Sequence, residues 1–249
     1  MANTWTDRRF VRSGEIDPHG RLTIPTLCGY LQEAAGSHAH ALGFSIEQIA
    51  GRGYTWVLSR LHLRMDRFPH WREEVFVDTW PSNLEGVMAT REYRLRDGVG
   101  LTIGIATSGW LVIDLERRRP VRIPDFMREP GIDVGERVLR DDFDRLPVPQ
   151  PVEAELRWAV RWHDLDLNQH VNNVRYAEWV LESAPPEMLQ SCTLRSLELD
   201  FRGECRFGAE VAIRRGPVPE GSAPAIAHVI VDASDGRELC VARTSWQVG

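Results

Sequence analysis

The sequence contains no lysine. Its 249 residues include 30 basic side chains, and all of them are arginines. This absence excludes a lysine nucleophile and Schiff-base chemistry, and we interpret it as the codon usage of a GC-rich genome. Acidic residues number 36 and give a net charge of −6, so non-specific nucleic-acid binding is not expected to be the main activity.

Cysteine is scarce too, and long apolar runs are missing. The four cysteines, Cys28, Cys192, Cys205 and Cys240, are scattered and form no Cys-x-x-Cys pair. Their spacing predicts neither structural disulfides nor a zinc site, and it favours a reducing cytoplasm. No apolar run approaches the ~20 residues of a membrane helix, and residues 1–7 lack the apolar segment of a secretory signal. We therefore expect a cytoplasmic protein that does not enter a membrane.

The chain repeats itself at an offset of 136 residues (197 minus 61). Similar short segments recur at this offset in three separated places, which is improbable by chance. A repeat of about half the chain length indicates two tandem copies of one structural unit. The paired segments are residues 61–65 and 197–201, residues 74–75 and 210–211, and residues 108–110 and 244–246.

Each half has the same predicted order of elements, a helix followed by several strands. Residues 25–42 contain one charged side chain, Glu33, and residues 173–183 carry their charges on one narrow stripe. Helices this apolar are mostly buried. Pro25 suits a first helical turn and Gly43 a C-terminal cap. In the strand regions, Asp97-Gly98 and Asp235-Gly236 predict tight turns. The pattern favours an α+β fold in which each unit wraps a sheet around a helix.

The densest polar cluster lies in residues 162–173, directly before the second predicted helix. Asp166, Asn168 and His170 are spaced by two, so an extended stretch would project all three to one side. They come just before a helix N-terminus, where free backbone N–H groups stabilise developing negative charge. A plain loop whose asparagines cap the helix is the alternative interpretation.

The first half of the chain favours the functional interpretation. When Glu33 is aligned with Glu182, the three places hold Asp17, His19 and Arg21. A purely structural turn has less reason to differ between two copies of one unit. We therefore predict chemistry in the second half.

This polar cluster also resembles a known family. Residues 164–176, with Trp179, Leu181, Glu182 and Ser183 after them, are similar to the signature of the acyl-acyl-carrier-protein thioesterases, which terminate fatty acid chains in plants and bacteria. A second family feature, a Glu-Cys pair after a charged strand, is matched by Gly203-Glu204-Cys205. The absence of an organelle transit peptide leads us to expect a bacterial member.

The resemblance covers essentially the whole chain and implies its fold. That fold is an α+β tandem (double) hotdog, with two antiparallel sheets each wrapping a long buried helix. Residues 1–128 would form an N-terminal hotdog that binds substrate and lacks the catalytic set. Residues 129–152, which are rich in charge and proline, would form a linker. Residues 153–249 would form the catalytic hotdog.

The resemblance also implies the catalytic groups. Thioester hydrolysis needs an activated water and donors for the oxyanion. Either Asp166 or Glu204 is a candidate base, while Asn168 and His170 are candidates for orienting water or polarising the carbonyl. Cys205 is the least supported candidate: it is either the nucleophile of a Cys-His-Asn relay or a small buried hydrophobe. The adjacent Glu204 disfavours a thiolate. The implied catalytic residues are Asp166, Asn168, His170, Glu204 and Cys205.

The expected reaction is hydrolysis of fatty acyl-acyl-carrier-protein thioesters to free fatty acid, with acyl carrier protein as the partner. No cofactor, metal, nucleic acid or membrane is expected, and the protein is a monomer or a homodimer. Arginines 117–119 and 122, and arginines 8, 9 and 12, are candidate contacts for an acidic carrier. An acyl-CoA thioesterase and a non-catalytic acyl-binding protein of the same fold remain as alternatives. A hotdog dehydratase is disfavoured because the His-then-Pro-Gly loop is absent.

Overall fold

The computed structural model of the protein describes residues 4–128, 131–218 and 224–248. The chain divides into two compact units, Met1–Phe143 and Asp144–Gly249. The division falls inside the segment predicted as a linker, whose first two residues, including Pro130, lie outside the described residues. No helix in the described ranges is long and apolar enough to cross a membrane.

The N-terminal unit packs one long helix on an antiparallel sheet. Helix α1 (Ile24–Ala41) is followed by the short helix α2 (Ile46–Ala50). The strand order is β1-β3-β4-β5-β2, and β6 pairs with the end of β5. The strands are β1 (Trp5–Phe10), β2 (Tyr54–Met65), β3 (Glu74–Asn83), β4 (Met88–Asp97), β5 (Thr102–Asp114) and β6 (Arg119–Val121).

Local sequence sets the limits of α1. The Thr23 hydroxyl caps its first turn by accepting from the backbone N–H of Thr26, and Pro25 lies in that turn, as predicted. Gly43 follows the helix in the left-handed conformation at φ +83°, which glycine adopts without strain. One face of α1 is buried and includes Leu27, Leu31, Ala34, Ala35 and His38.

The C-terminal unit repeats this architecture. Its strand order is β7-β9-β10-β11-β8, the same as that of the N-terminal unit when the strands are numbered from the first of each unit. Helix α3 has 10 residues, against 18 in α1, and it buries Tyr176, Ala177, Trp179 and Val180. The elements are β7 (Ala154–Ala159), α3 (Asn173–Glu182), α4 (Pro186–Ser191), β8 (Cys192–Phe201), β9 (Glu210–Pro217), β10 (Ala225–Asp232) and β11 (Glu238–Val248).

The predicted repeat and fold class are confirmed. Segments 61–65 and 197–201 lie in β2 and β8, and the other two paired segments lie in β3 and β9 and in β5 and β11. Asp97-Gly98 joins β4 to β5, and Asp235-Gly236 joins β10 to β11. Asp200 on β8 is buried, and its carboxylate pairs with the guanidinium of Arg202, with Nη2 2.6 Å from Oδ2.

Part of the proline-rich segment is anchored to the N-terminal unit. Glu92 on β4 is fully buried, and its carboxylate accepts hydrogen bonds from the backbone N–H groups of Val138 (3.2 Å) and Leu139 (3.4 Å). Ser82 and Thr107 donate their hydroxyls to the other oxygen. A buried carboxylate without such donors would be strongly destabilising. Glu92 therefore holds residues 138–139 on this sheet.

Candidate active site

The candidate site is built on the loop that precedes α3. A 3-10 turn at Trp162–Asp164 opens this loop. The buried Asp164 carboxylate accepts from the backbone N–H of Arg161 at 2.8 Å and lies 3.6 Å from the guanidinium of Arg175. Its carbonyl accepts from the N–H of Asn172, the cap of α3, at 2.8 Å. Asp164 thus ties both ends of the loop together.

The Asp166 side chain shapes the middle of the loop. Its Oδ1 accepts from the backbone N–H groups of Asn168 (2.8 Å) and His170 (3.4 Å). The Asp166 N–H donates to the carbonyl of His170 at 2.8 Å, and Gln169 has φ +61°. The segment is therefore a closed turn rather than the extended stretch suggested by the spacing of two. An aspartate that bonds the following backbone stabilises such a turn.

The loop meets the segment after β8 through one backbone hydrogen bond. The N–H of Val171 donates to the carbonyl of Cys205 at 2.9 Å. This contact places His170 opposite Glu204, with Nε2 3.3 Å from Oε2. The distance is that of an ion pair, but the ring nitrogen is not aligned for a hydrogen bond and has no other hydrogen-bond partner in the described ranges. The Glu204 side chain is 57% exposed, so it is accessible to solvent.

Gly203 lies where this segment begins, close to Arg237. A Cβ there would lie 2.5 Å from Nη1 of Arg237 and 3.3 Å from the carbonyl of Glu238. The same arginine donates from Nη2 to the carbonyl of Glu204 at 3.3 Å. Arg237 therefore packs against the backbone that carries Glu204, and a larger residue at position 203 would displace its guanidinium.

Asn168 and Cys205 are placed differently from the other three candidates. Asn168 is exposed, and its side chain makes no hydrogen bond to the residues that the structure describes. The Cys205 thiol is buried. Burial raises the pKa of this thiol, and the charge of Asp232 raises it further. The structure thus brings Asp166, His170, Glu204 and the backbone of Cys205 together, and it leaves the Asn168 side chain on the outside of the turn.

The N-terminal unit contains a counterpart of this loop. Asp17 Oδ1 accepts from the N–H groups of His19 (2.8 Å) and Arg21 (2.9 Å), and Gly20 has φ +76° where Gln169 has +61°. Leu22 donates its N–H to the carbonyl of Pro69 at 2.8 Å, just as Val171 donates to Cys205. The two loops therefore share one backbone scaffold.

The differences between the two loops distinguish residues that form the shared turn from residues that could take part in a reaction. Arg21 replaces His170, and its guanidinium binds Asp17 Oδ2 at 3.0 Å. The buried Phe68 replaces Glu204, and Pro69 replaces Cys205. Asp17 makes the same turn as Asp166, so a carboxylate at this position is explained by the loop alone. The turn does not explain the imidazole of His170, the carboxylate of Glu204 or the thiol of Cys205.

Sequence reasoning missed the groups that support the loop: Asp164, Arg161, Arg175 and Arg237. One signal was present, because an arginine and an acid three residues later open the loop in both halves, as Arg12 with Glu15 and as Arg161 with Asp164. Arg175 and Arg237 had no such signal.

A serine–histidine pair lies in the core of the C-terminal unit. His228 Nδ1 is 2.9 Å from the Ser183 hydroxyl, and its Nε2 is 3.0 Å from that of Thr244. Both His228 and Ser183 are fully buried. Burial lowers the pKa of His228 to about 3, with a smaller effect from Arg215. The pair joins the C-terminal end of α3 to β10.

Two family models match the chain. The acyl-ACP thioesterase N-terminal domain matches residues 3–130, and the acyl-ACP thioesterase C-terminal domain matches residues 149–248.

The chain belongs to the acyl-ACP thioesterase family.

Its relatives in this family are plant and bacterial proteins. A palmitoyl-acyl carrier protein thioesterase of Cuphea hookeriana is 32% identical over an alignment of 254 positions that covers 95% of this chain and 60% of that protein. The Arabidopsis thaliana palmitoyl-acyl carrier protein thioesterase is 31% identical over an alignment of 256 positions that covers 95% of this chain and 62% of that protein. The chain thus spans about three fifths of the length of these curated relatives.

Solved structures of the family match across both units. An acyl-ACP thioesterase from Bacteroides thetaiotaomicron gives a TM-score of 0.89 at 28% identity and covers 98% of each chain. The 12:0-ACP thioesterase from Umbellularia californica gives a TM-score of 0.89 at 26% identity, covering 99% of this chain and 94% of that one.

For this member of the family we predict an unreactive Cys205 thiol. Burial and a raised pKa both suppress the thiolate, so alkylation by iodoacetamide at pH 8 should be at least ~10-fold slower at Cys205 than at the more accessible Cys192. Peptide mass spectrometry over a time course measures both rates. Labelling of Cys205 at the rate of Cys192, in folded protein, would contradict the assignment.

Proposed function

We propose that this protein hydrolyses fatty acyl thioesters carried on acyl carrier protein, releasing free fatty acid and so terminating fatty acid synthesis. The observation that carries the proposal is the His170–Glu204 pair, 3.3 Å apart where the loop meets the segment after β8; the corresponding positions of the N-terminal unit hold Arg21 and Phe68. The relatives named as acyl carrier protein thioesterases support the substrate class.

Glu204 is the general base in this proposal. Its exposed carboxylate takes a proton from water while His170 holds the water in place, and the water oxygen attacks the thioester carbonyl. The carbon–sulfur bond then breaks, and the proton passes to the leaving thiolate. The start of α3 is suited to the oxyanion: the Asn172 side chain occupies the N–H of Val174, which leaves that of Asn173 as a donor. Asn168, at the open side of the turn, is a candidate second donor.

Asp166 is a positioning residue in this mechanism. Its Oδ1 is used by two backbone N–H groups. The same bonds occur at Asp17, where no chemistry is expected. Cys205 supplies its carbonyl to the loop, and a relay through its thiol is disfavoured because the thiol is buried.

The setting we infer is a bacterial cytoplasm. All four cysteines are free, which suits a reducing compartment. The arginine-only composition suits a GC-rich genome.

The function is tested with one acyl chain on acyl carrier protein and on coenzyme A. We expect release of free fatty acid from both, with the higher kcat/KM on the carrier protein. Chains of several lengths complete the panel. Equal or better use of acyl-CoA would favour the acyl-CoA thioesterase, and binding without release of acid would favour a non-catalytic lipid binder.

We predict that His170→Ala, Glu204→Gln and Asp166→Ala each lower kcat by at least ~10²-fold, the usual effect of losing a general acid–base group or its placement. Asp166→Asn distinguishes the two roles, because an amide oxygen can still accept the two N–H bonds. It should recover most of the activity that Asp166→Ala loses.

Matched controls lie in the N-terminal loop. Asp17→Ala and Arg21→Ala remove the counterpart residues and should leave kcat within about threefold, since no acid–base step is expected there. Loss of activity in Asp166→Asn as severe as in Asp166→Ala would make Asp166 the base. Near-normal turnover in a folded His170→Ala or Glu204→Gln variant would remove the proposed pair.

The N-terminal unit is the substrate-binding half in this proposal, because it keeps the helix and sheet without the pair. An apolar cluster there gathers Trp56 and Trp110 around the buried Ile49, Ala89 and Val112. Met65 is buried on the same strand as Trp56 and lies against Gly104. These side chains are suited to setting how much acyl chain the unit accepts.

We predict that Trp56→Phe and Met65→Val shift the preferred chain length upward, because each makes room beside the sheet. The kcat on the preferred substrate should change less than the relative activities on chains of different length. Such modest truncations should cost about 1–2 kcal/mol of stability, which a thermal melt checks. An unchanged chain-length preference in both variants, together with a changed preference in variants near His170, would show that the N-terminal unit does not set the chain length.

A further inference from the structure

Three large apolar side chains are exposed on the two segments that carry His170 and Glu204. Trp162 is 68% exposed, Phe207 is 59% exposed, and Leu167 is fully exposed. The rings of Trp162 and Phe207 meet edge to face at 5.7 Å between centroids. We call these three residues the rim patch. Grouped exposed aromatics often mark an interaction site on a protein surface.

The rim patch lies on the two segments that position the site. Trp162 opens the loop, and Leu167 directly follows Asp166. Phe207 comes three residues after Glu204, where Gly208 donates its N–H to the carbonyl of Val160 at 3.3 Å. The rim patch therefore shares its two backbone segments with the His170–Glu204 pair.

The loop scaffold does not require these side chains. The N-terminal loop has Ser13 where this loop has Trp162, and Pro18 where it has Leu167. Trp71 stands in the place of Phe207, but the guanidinium of Arg72 lies over its ring at 4.3 Å. The same backbone thus forms without the Trp162 and Leu167 side chains, and only the copy with the catalytic pair presents all three.

The charge beside the rim patch suits an acidic partner. Arg206 is exposed next to Phe207 and forms no ion pair with the residues that the structure describes. Of the arginines predicted to contact a carrier, Arg8 and Arg9 are paired with Glu74 and Asp7, whereas the exposed Arg118 has no such pair among the described residues. Arg206 is therefore one candidate, and Arg118 represents the predicted arginine cluster of the N-terminal unit.

We propose that the rim patch, with Arg206, docks the protein part of the acyl carrier. The inference rests on the proposed function: a thioester delivered on a pantetheine arm must reach His170 and Glu204, and the rim patch is the exposed apolar surface on the two segments that carry this pair. An aromatic pair supplies a small number of strong contacts, and the guanidinium attracts an acidic surface and steers its approach.

The test compares one acyl chain on the carrier protein and on free pantetheine, which lacks the protein. Trp162→Ala and Phe207→Ala should each lower kcat/KM at least ~10-fold on the acyl carrier, the usual effect of truncating a strong interface contact. On acyl-pantetheine they should stay within about twofold of wild type. Trp71→Ala is the matched control and should change neither value.

Two further measurements complete the test. Arg206→Glu should weaken carrier binding and reduce its dependence on salt, whereas Arg118→Glu should leave both unchanged. The Kd of the acyl carrier is measured separately by calorimetry. If wild type hydrolyses neither substrate, the proposed function fails, while loss of carrier binding in Trp162→Ala would still support the docking surface.

Three results would overturn the proposal. Equal losses on both substrates would assign the rim patch to the pantetheine arm or to folding. Weaker carrier binding in Arg118→Glu, with unchanged binding in Trp162→Ala, would assign the docking surface to the N-terminal unit. A dimer in sedimentation that Trp162→Ala dissociates, with unchanged carrier binding, would assign the patch to a second copy of the chain.

Discussion

The candidate site depends on one backbone hydrogen bond. The Val171 N–H donates to the Cys205 carbonyl. It joins the loop before α3 to the segment after β8, which are more than thirty residues apart in the chain. His170 lies one residue before its donor and Glu204 one residue before its acceptor. The approach of imidazole and carboxylate follows from this register, and neither side chain has to hold the other in place.

The loop itself is rigid for reasons that are repeated in the N-terminal unit. In each loop an aspartate, Asp166 or Asp17, accepts hydrogen bonds from two backbone N–H groups that follow it. The residue three positions after this aspartate has a positive φ. An acidic side chain near the start of each loop accepts from the backbone N–H of the residue three positions earlier. Because the backbone is shared, the differences between the loops are informative. Arg21 and Phe68 close the N-terminal loop with an internal ion pair and a buried ring, whereas His170 and Glu204 leave two functional groups facing each other.

The structure places the five candidate residues in different settings. Spacing grouped Asp166 with Asn168 and His170, since all three would share one side of an extended chain. In the closed turn, Asp166 points at the backbone and Asn168 faces outward. Burial separates Cys205 from its neighbour Glu204, because the thiol packs in the core while the carboxylate reaches solvent. The proposed chemistry accordingly centres on two residues from two segments.

The sequence by itself determined the repeat, the fold class, the limits of both long helices and the polar segment that bears the site. Those features are local or periodic: a cap, a turn residue or an apolar stripe acts through its near neighbours in the chain. Tertiary structure alone decided that His170 faces Glu204, that Cys205 is buried, that Arg175 and Arg237 support the loop, and that Glu92 holds residues 138–139 on the first sheet. Each of these depends on strand register and on contacts between distant segments, and no pattern of neighbouring residues contains that information.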